Sequence, residues 1–199
     1  MKDSFAQKIY TRKGIARENP FPGKKVLHIG CGASKLPGAI GIDQLKLPGV
    51  DVVHNLDRSP WPFESNSFDI VFAHSVLEHL DSVVEVMNEI HRVGKPGARV
   101  ILCVPYFRSV DSFDDPTHRH FFTARSMDYF IDDTRRADYA YTDHRFTKVA
   151  FWYGWPQPSK NLLATIIKTT AQRFPRFYDQ YLSYLFPFKI LVWELEIKK

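Results

Sequence analysis

KVLHIGCGASKLPGAIGID, running from Lys25 to Asp43, decides the fold of this 199-residue chain. An apolar run ends at Gly30-Cys31-Gly32, and a second apolar run ends on a single acid, Asp43. A strand that passes directly into Gly-x-Gly brings bare backbone to the carboxyl edge of a parallel sheet, and the next strand delivers a carboxylate beside it. Without a Cβ, Gly30 and Gly32 permit a turn at positive φ and let a ligand approach the peptide groups. Asp43 can accept two hydrogen bonds from a ribose-like diol, which makes this the pattern of a nucleoside pocket. The competing reading is a tight turn between strands with Asp43 as a surface cap.

A dinucleotide fingerprint requires a small residue at the sixth position and an acid roughly 20 residues on. Here the sixth position is Lys35, and the acid follows Gly30 by thirteen residues. Only Ala33 to Gly38, with Pro37 among them, separate the glycines from the second strand. A crossover between parallel strands usually takes a dozen or more residues, so no full helix fits there. A pyrophosphate on a long helix N-terminus is therefore not expected, which counts against NAD and FAD.

Working outward, strand and helix patterns alternate. Val26–Ile29, Ala39–Ile42, Val50–His54, Phe68–Ala73 and Arg99–Val104 read as strands. Val83, Val86, Met87, Ile90 and Val93 recur at helical spacing, with Ser82 and Glu85 as a capping box and Lys95-Pro96-Gly97 as the stop. Beyond Pro105 the pattern loosens into the polar and aromatic loop Tyr106–His120, then a short helix over Ala124–Ile131 capped by Thr123. Phe146–Tyr153 and Lys189–Ile197 read as late strands. Between them lie a helix over Asn161–Phe174, a break at Pro175 and an aromatic helix around Phe177–Phe186. The alternation predicts an α/β sheet with helices on its faces. Residues 1–24 form an N-terminal segment, 25–199 the domain, and 159–188 a helical insertion between the last two strands.

With 44% hydrophobic and 25% charged residues, the chain has the composition of one globular domain with a sizeable core. Its net charge of +5 is spread thinly, with short clusters at Lys24-Lys25, Arg135-Arg136 and Lys198-Lys199, so no strong nucleic-acid footprint appears. Cys31 and Cys103 have neither zinc nor disulfide spacing. Met1–Asn19 is polar and no run of about 18 apolar residues occurs, so a cytoplasmic protein without a membrane span is expected.

Read together, VLHIGCG, GID at 41–43, HNLD before PWPFESNSFDIVFAHSVLEHL, and EIHRVGKPGARVILCVPYF resemble the class I S-adenosylmethionine-dependent methyltransferases. The likeness covers roughly Lys24–Thr123 and is greatest to small type-11-like members whose first two strands are joined by a short loop. It implies a Rossmann-like three-layer sandwich around a mostly parallel seven-stranded sheet with an antiparallel last strand. It further implies S-adenosyl-L-methionine as co-substrate and methyl transfer to an oxygen or nitrogen of a small or medium acceptor. A catalytically silent cofactor-binding domain is the rival reading.

By the same resemblance, Gly30, Cys31 and Gly32 line the methionine part of the cofactor, and Asp43, followed by Gln44, binds the ribose. Asn55, Leu56 and Asp57 flank the adenine, either Asn55 or Asp57 meeting its amino group. His74 and Ser75 lie under the sulfonium and floor the acceptor pocket.

On the acceptor side, Asp115-Pro116-Thr117-His118-Arg119-His120 follows the fifth strand and should overhang the site. His118 and His120 are candidate general bases. Alternatively they close the loop, His118 bonding backbone while Phe121 and Phe122 pack. Glu78-His79 resembles part of a Glu-x-x-Glu-His metal set, but Ser75 stands where the first acid belongs, so no metal is expected. The Leu-, Ile-, Phe- and Tyr-rich stretch Asn161–Phe188, with interspersed cations, reads as a lid, a homodimer face or a membrane-surface helix.

Overall fold

The structure is a computed structural model that describes residues 4–11, 14–132, 134–159 and 161–199. Residues 1–3, 12 and 13 of the N-terminal segment and residue 160 of the insertion lie outside these.

Seven strands form one sheet: β1 (Val26–Ile29), β2 (Ala39–Asp43), β3 (Val52–Val53), β4 (Phe68–His74), β5 (Gly94–Pro105), β6 (Arg145–Tyr153) and β7 (Ile190–Lys198). Their spatial order is β3-β2-β1-β4-β5-β7-β6. The first five run parallel, and β7 lies antiparallel between β5 and β6. The chain winds outward from β1 to β3 and then returns to the other side of β1, which opens a crevice at the carboxyl ends of β1 and β4. Ile29 is level with both Ile42 and Ala73, so Gly30, Asp43 and Ser75 emerge along one rim.

Alternation along the strands splits the core into two. On one face Val71, Ala73, Val100 and Leu102 pack with Val86, Met87, Ile90 and Val93 of helix α2 (Val83–Val93). Ser82 caps that helix as its sequence predicts, accepting the Glu85 amide at 3.2 Å. β5 begins five residues earlier than expected, because Gly94 pairs with Phe68 ahead of a register shift.

The opposite face carries Ile70, Phe72, Ile101, Cys103 and Val192, and among the described residues no long helix covers it. Its cover is the N-terminal segment: helix α1 (Phe5–Ile9), the hairpin of Tyr10–Thr11 with Gly14–Ile15, and Phe21. This third layer is docked by Glu194 of β7, which is wholly buried. It accepts from the Ser4 hydroxyl (2.6 Å), the Phe5 and Ala6 amides (3.2 and 3.3 Å) and Arg99 (3.3 Å). A carboxylate at a helix N-terminus meets the free amides there, and Arg99 balances its charge.

The nine residues between β1 and β2 hold no helix. Leu36, fully buried, plugs the second face instead, and its amide donates to His28 Nδ1 at 3.0 Å. Burial pushes the His28 imidazole down to about 3, so it is a neutral acceptor.

In the second half, α3 (Leu162–Arg173) begins at Asn161, whose side chain accepts the Ala164 amide at 2.8 Å. The aromatic helix expected around 177–186 begins and ends earlier, as an α-helical turn at Pro175–Phe177 that continues into a π-helix at Tyr178–Leu182. Buried Tyr106 and Tyr153 both donate to Asp179 (2.7 and 2.6 Å), which fastens this segment to β5 and β6.

Candidate active site

The glycine turn is built as its composition demands. Gly30 (φ 58°) and Gly32 (φ 50°) are both left-handed, and the Gly30 amide donates to Ile42 O at 2.9 Å. A Cβ on Gly30 would lie 2.2 Å from Val76 Cγ2, so the bare backbone is required by packing against Val76. The Gly32 amide donates to Asp43 Oδ2 and the Leu45 amide to Asp43 Oδ1, both at 2.9 Å. Two backbone donors therefore hold this carboxylate in place, and each oxygen keeps a lone pair for a ligand.

A cleft of about 640 Å³ opens along this rim. Gly30, Asp43, Gln44, Asn55, Leu56, Asp57 and Ser75, all proposed from sequence, line it. Asn55 Oδ1 accepts the Asp57 amide at 3.0 Å, and Asp57 Oδ1 accepts the Asp81 amide at 2.7 Å. Ser75 sits in the left-handed region (φ 49°), where a side chain is strained, at the crest of β4.

Three of the residues proposed to bind the cofactor lie away from the cleft lining. Cys31 is buried, its Sγ beside Gly41, and burial pushes its thiol up to about 11. Gly32 contributes through its bond to Asp43. His74, the last residue of β4, turns to the opposite face, with Nδ1 3.0 Å from Tyr10 Oη and its ring stacked 6.1 Å from Trp155. Alternation explains this: His74 shares the face of Ile70 and Phe72.

The far wall comes from Pro116, Thr117 and Arg119, with Val76, His79 and Leu80 from the turn after β4. The Arg119 amide donates to Glu78 O at 2.7 Å, and Arg119 pairs with Asp81. His120 Nε2 lies 2.8 Å from Leu80 O, and His118 Nδ1 lies 2.9 Å from Ser112 O. A carbonyl only accepts, so those nitrogens carry the protons, and both histidines spend one nitrogen on closing the loop. Neither lines the cleft, whereas His79 does. His79 Nδ1 lies 2.8 Å from Thr117 Oγ1, whose own proton goes to Asp115 Oδ1 at 2.7 Å. Nδ1 must then be the donor, which leaves Nε2 of neutral His79 with a free lone pair.

Glu78, between them, is 1% exposed, and both carboxylate oxygens lack a hydrogen-bond partner. Burial raises its carboxyl to about 7, opposed by His118 and reinforced by Asp115. Ligand atoms of Glu78, His79 and His118 lie within 4.8 Å of one another, so the tertiary structure brings together three groups able to hold a cation. Sequence spacing pointed to Glu78 and His79. It could not show which later histidine reaches them.

The strand order, with an acid held beside a glycine turn at the carboxyl edge of the sheet, defines a Rossmann-like α/β domain. Residues 27–102 match the family described as a methyltransferase domain. Over 143 residues the chain is 30% identical to sterol 24-C-methyltransferase erg6 of Schizosaccharomyces pombe, covering 59% of this chain and 37% of that protein. It is 27% identical over 125 residues to sterol 4-C-methyltransferase strm-1 of Caenorhabditis elegans (52% and 37%). It is 29% identical over 105 residues to demethylmenaquinone methyltransferase of Bacillus mycoides (40% and 44%). The chain thus spans less than half the length of each of these relatives.

Among solved structures, the YcgJ protein of Bacillus subtilis superposes with a TM-score of 0.54 at 18% identity, over 88% of this chain and 92% of that one. A SAM-dependent methyltransferase of Archaeoglobus fulgidus gives 0.52 at 14% identity (87% and 86%). The cyclase SpnF gives 0.54 at 15% identity (88% and 76%), so the shared property is the fold. Residues 27–102 are thus similar to a methyltransferase domain, and the solved structures share this chain's fold. Among the described residues no helix is long and apolar enough to cross a membrane.

Proposed function

We propose that this chain transfers a methyl group from S-adenosylmethionine to an oxygen or nitrogen of a small or medium acceptor. The observation that carries the reading is the Asp43 carboxylate, held by two amides on the rim of a cleft of about 640 Å³, a size suited to a nucleoside cofactor and an acceptor together. Asp43 would orient the ribose, Asn55 or Asp57 the adenine, and bare Gly30 would allow close approach of the methionine portion. When bound, the sulfonium supplies a methyl group already on a good leaving group.

What remains for the protein is alignment, exclusion of water and, for a protonated acceptor, removal of a proton. Pro116, Thr117 and Arg119 form the wall that would exclude water. His79 is the imidazole that faces the cleft, and burial lowers its basicity so that it is neutral near pH 7. We assign it, rather than His118 or His120, the role of proton acceptor, with Asp115 and Thr117 orienting the ring.

Calorimetric titration with S-adenosylhomocysteine and NAD, followed by a metabolite-extract screen with methyl-labelled cofactor, tests the reading. Micromolar binding of the homocysteine product, no binding of NAD and a labelled acceptor are expected. Binding of NAD would sink the cofactor assignment. Product binding without transfer to any acceptor would leave a silent cofactor-binding domain.

A further inference from the structure

Among the described residues, half of the exposed large hydrophobics, nine of eighteen, fall within 28 residues of chain, 161–188. Leu162, Leu163 and Ile166 of α3 are 76, 62 and 53% exposed, and Leu185 is 72% exposed. Within α3 only Ala171 is buried. A helix of twelve residues is marginal on its own, and amphipathic helices are stabilised by covering their apolar face. Here Ile167 and Ala171 pack on the core while Leu162, Leu163 and Ile166 point outward, which leaves a second apolar face to be covered by something else.

Charge identifies the cover. The stretch contains three cations, Lys168, Arg173 and Arg176, and one acid, Asp179. Asp179 is turned inward, accepting from Tyr106 and Tyr153 at 2.7 and 2.6 Å. The outer surface is thereby cleared of negative charge. Arg173 and Arg176 are exposed, Lys189 follows directly, its 81% exposed side chain 3.9 Å from Asp111, and Arg108 stacks 3.5 Å over exposed Tyr184. Phe177 and Tyr181 pair at 5.2 Å, both about half exposed or more. A second copy of this face would bring two sets of arginines into one interface with no acid of this stretch on its outer surface to balance them. Among the described residues of 159–188, none lines the cleft.

We propose that the face formed by residues 161–188 docks on an anionic lipid bilayer surface. The aliphatic residues of α3 and Leu185 would enter the acyl boundary, the tyrosines and phenylalanines the headgroup region, and Arg173 and Arg176 would meet lipid phosphates. The interaction is peripheral and does not depend on the methyl-transfer reading.

Co-sedimentation of the full chain with vesicles decides it. Vesicles of phosphatidylcholine with about a third phosphatidylglycerol should bind the protein at least about tenfold more tightly than pure phosphatidylcholine, and high salt should weaken the binding. Arg173→Glu with Arg176→Glu should weaken binding by about tenfold or more, and Leu163→Ser with Leu185→Ser should weaken it to a similar degree. All four positions are exposed, and thermal melts unchanged from wild type would show that the fold is intact. Absence of binding, or equal binding to both vesicle types, overturns the proposal. So does a concentration-dependent dimer that the same substitutions dissolve while no vesicle is bound.

Discussion

The amide of Gly32 donates to the Asp43 carboxylate at 2.9 Å, joining the turn after the first strand to the acid that ends the second. This bond makes two sequence features, thirteen residues apart in Gly30 and Asp43, a single structural unit. Asp43→Asn keeps the shape, but one side of the amide would set a donor against a backbone donor. Loss of charge-assisted hydrogen bonds, worth about 1.5–3 kcal/mol, should weaken S-adenosylhomocysteine binding about 10- to 100-fold. Calorimetry reads this directly, and unchanged affinity would remove Asp43 from the ribose site.

The two glycines should respond differently to alanine. At Gly32 nothing lies within 4 Å of an added Cβ, so only the left-handed backbone opposes it, at about 1–2 kcal/mol. At Gly30 the same backbone term adds to a 2.2 Å collision with Val76, for roughly 2–5 kcal/mol in all. Urea denaturation of the two variants should rank them in that order.

Glu78 should make stability depend on pH. Its carboxyl rises from an ordinary 4.5 to about 7 because burial disfavours the charged form. Its favourable contribution is therefore complete below about pH 4.5 and is lost as pH rises through about 7. Glu78→Gln should match wild type near pH 4.5 and exceed it at pH 8, by roughly 3 kcal/mol at most. Denaturation midpoints at the two pH values test this, and an equal difference at both would show that Glu78 does not titrate with folding.

Glu194 and Arg99 hold the third layer in place. Arg99→Leu removes the cation beside a fully buried carboxylate and should destabilise the protein by about 3–5 kcal/mol. Replacing both, Arg99→Leu with Glu194→Leu, should recover part of that loss, because no unpaired charge is left buried. A double variant no more stable than the single would mean that the amides of Phe5 and Ala6 alone suffice for Glu194.

Much of the frame was legible because it depends on local pattern. β1 begins and ends where the apolar run does, Ser82 caps its helix, and the absent crossover helix follows from the count of residues before Ala39. The role of the N-terminal segment was not legible. Its contact with Glu194 spans about 190 positions, and no periodicity in Phe5–Ile9 reveals which sheet face it covers. The aromatic stretch after Pro175 reads as helix by composition and is helical, but its π geometry, with Tyr106 and Tyr153 reaching Asp179, depends on contacts far along the chain.

The site divides along the same line. The sequence by itself determined the glycine turn, the acid that follows it and the Asn55–Asp57 rim, because each sits at a strand end whose position along the chain places it on the sheet edge. Only the tertiary structure decided which side chains face the cleft. Strand alternation turned His74 to the opposite face, carbonyls of Ser112 and Leu80 claimed His118 and His120, and a loop 38 residues away in sequence oriented His79 into the opening. Residue type and spacing specify where backbone can go, whereas the direction of a side chain depends on partners that the fold alone brings near.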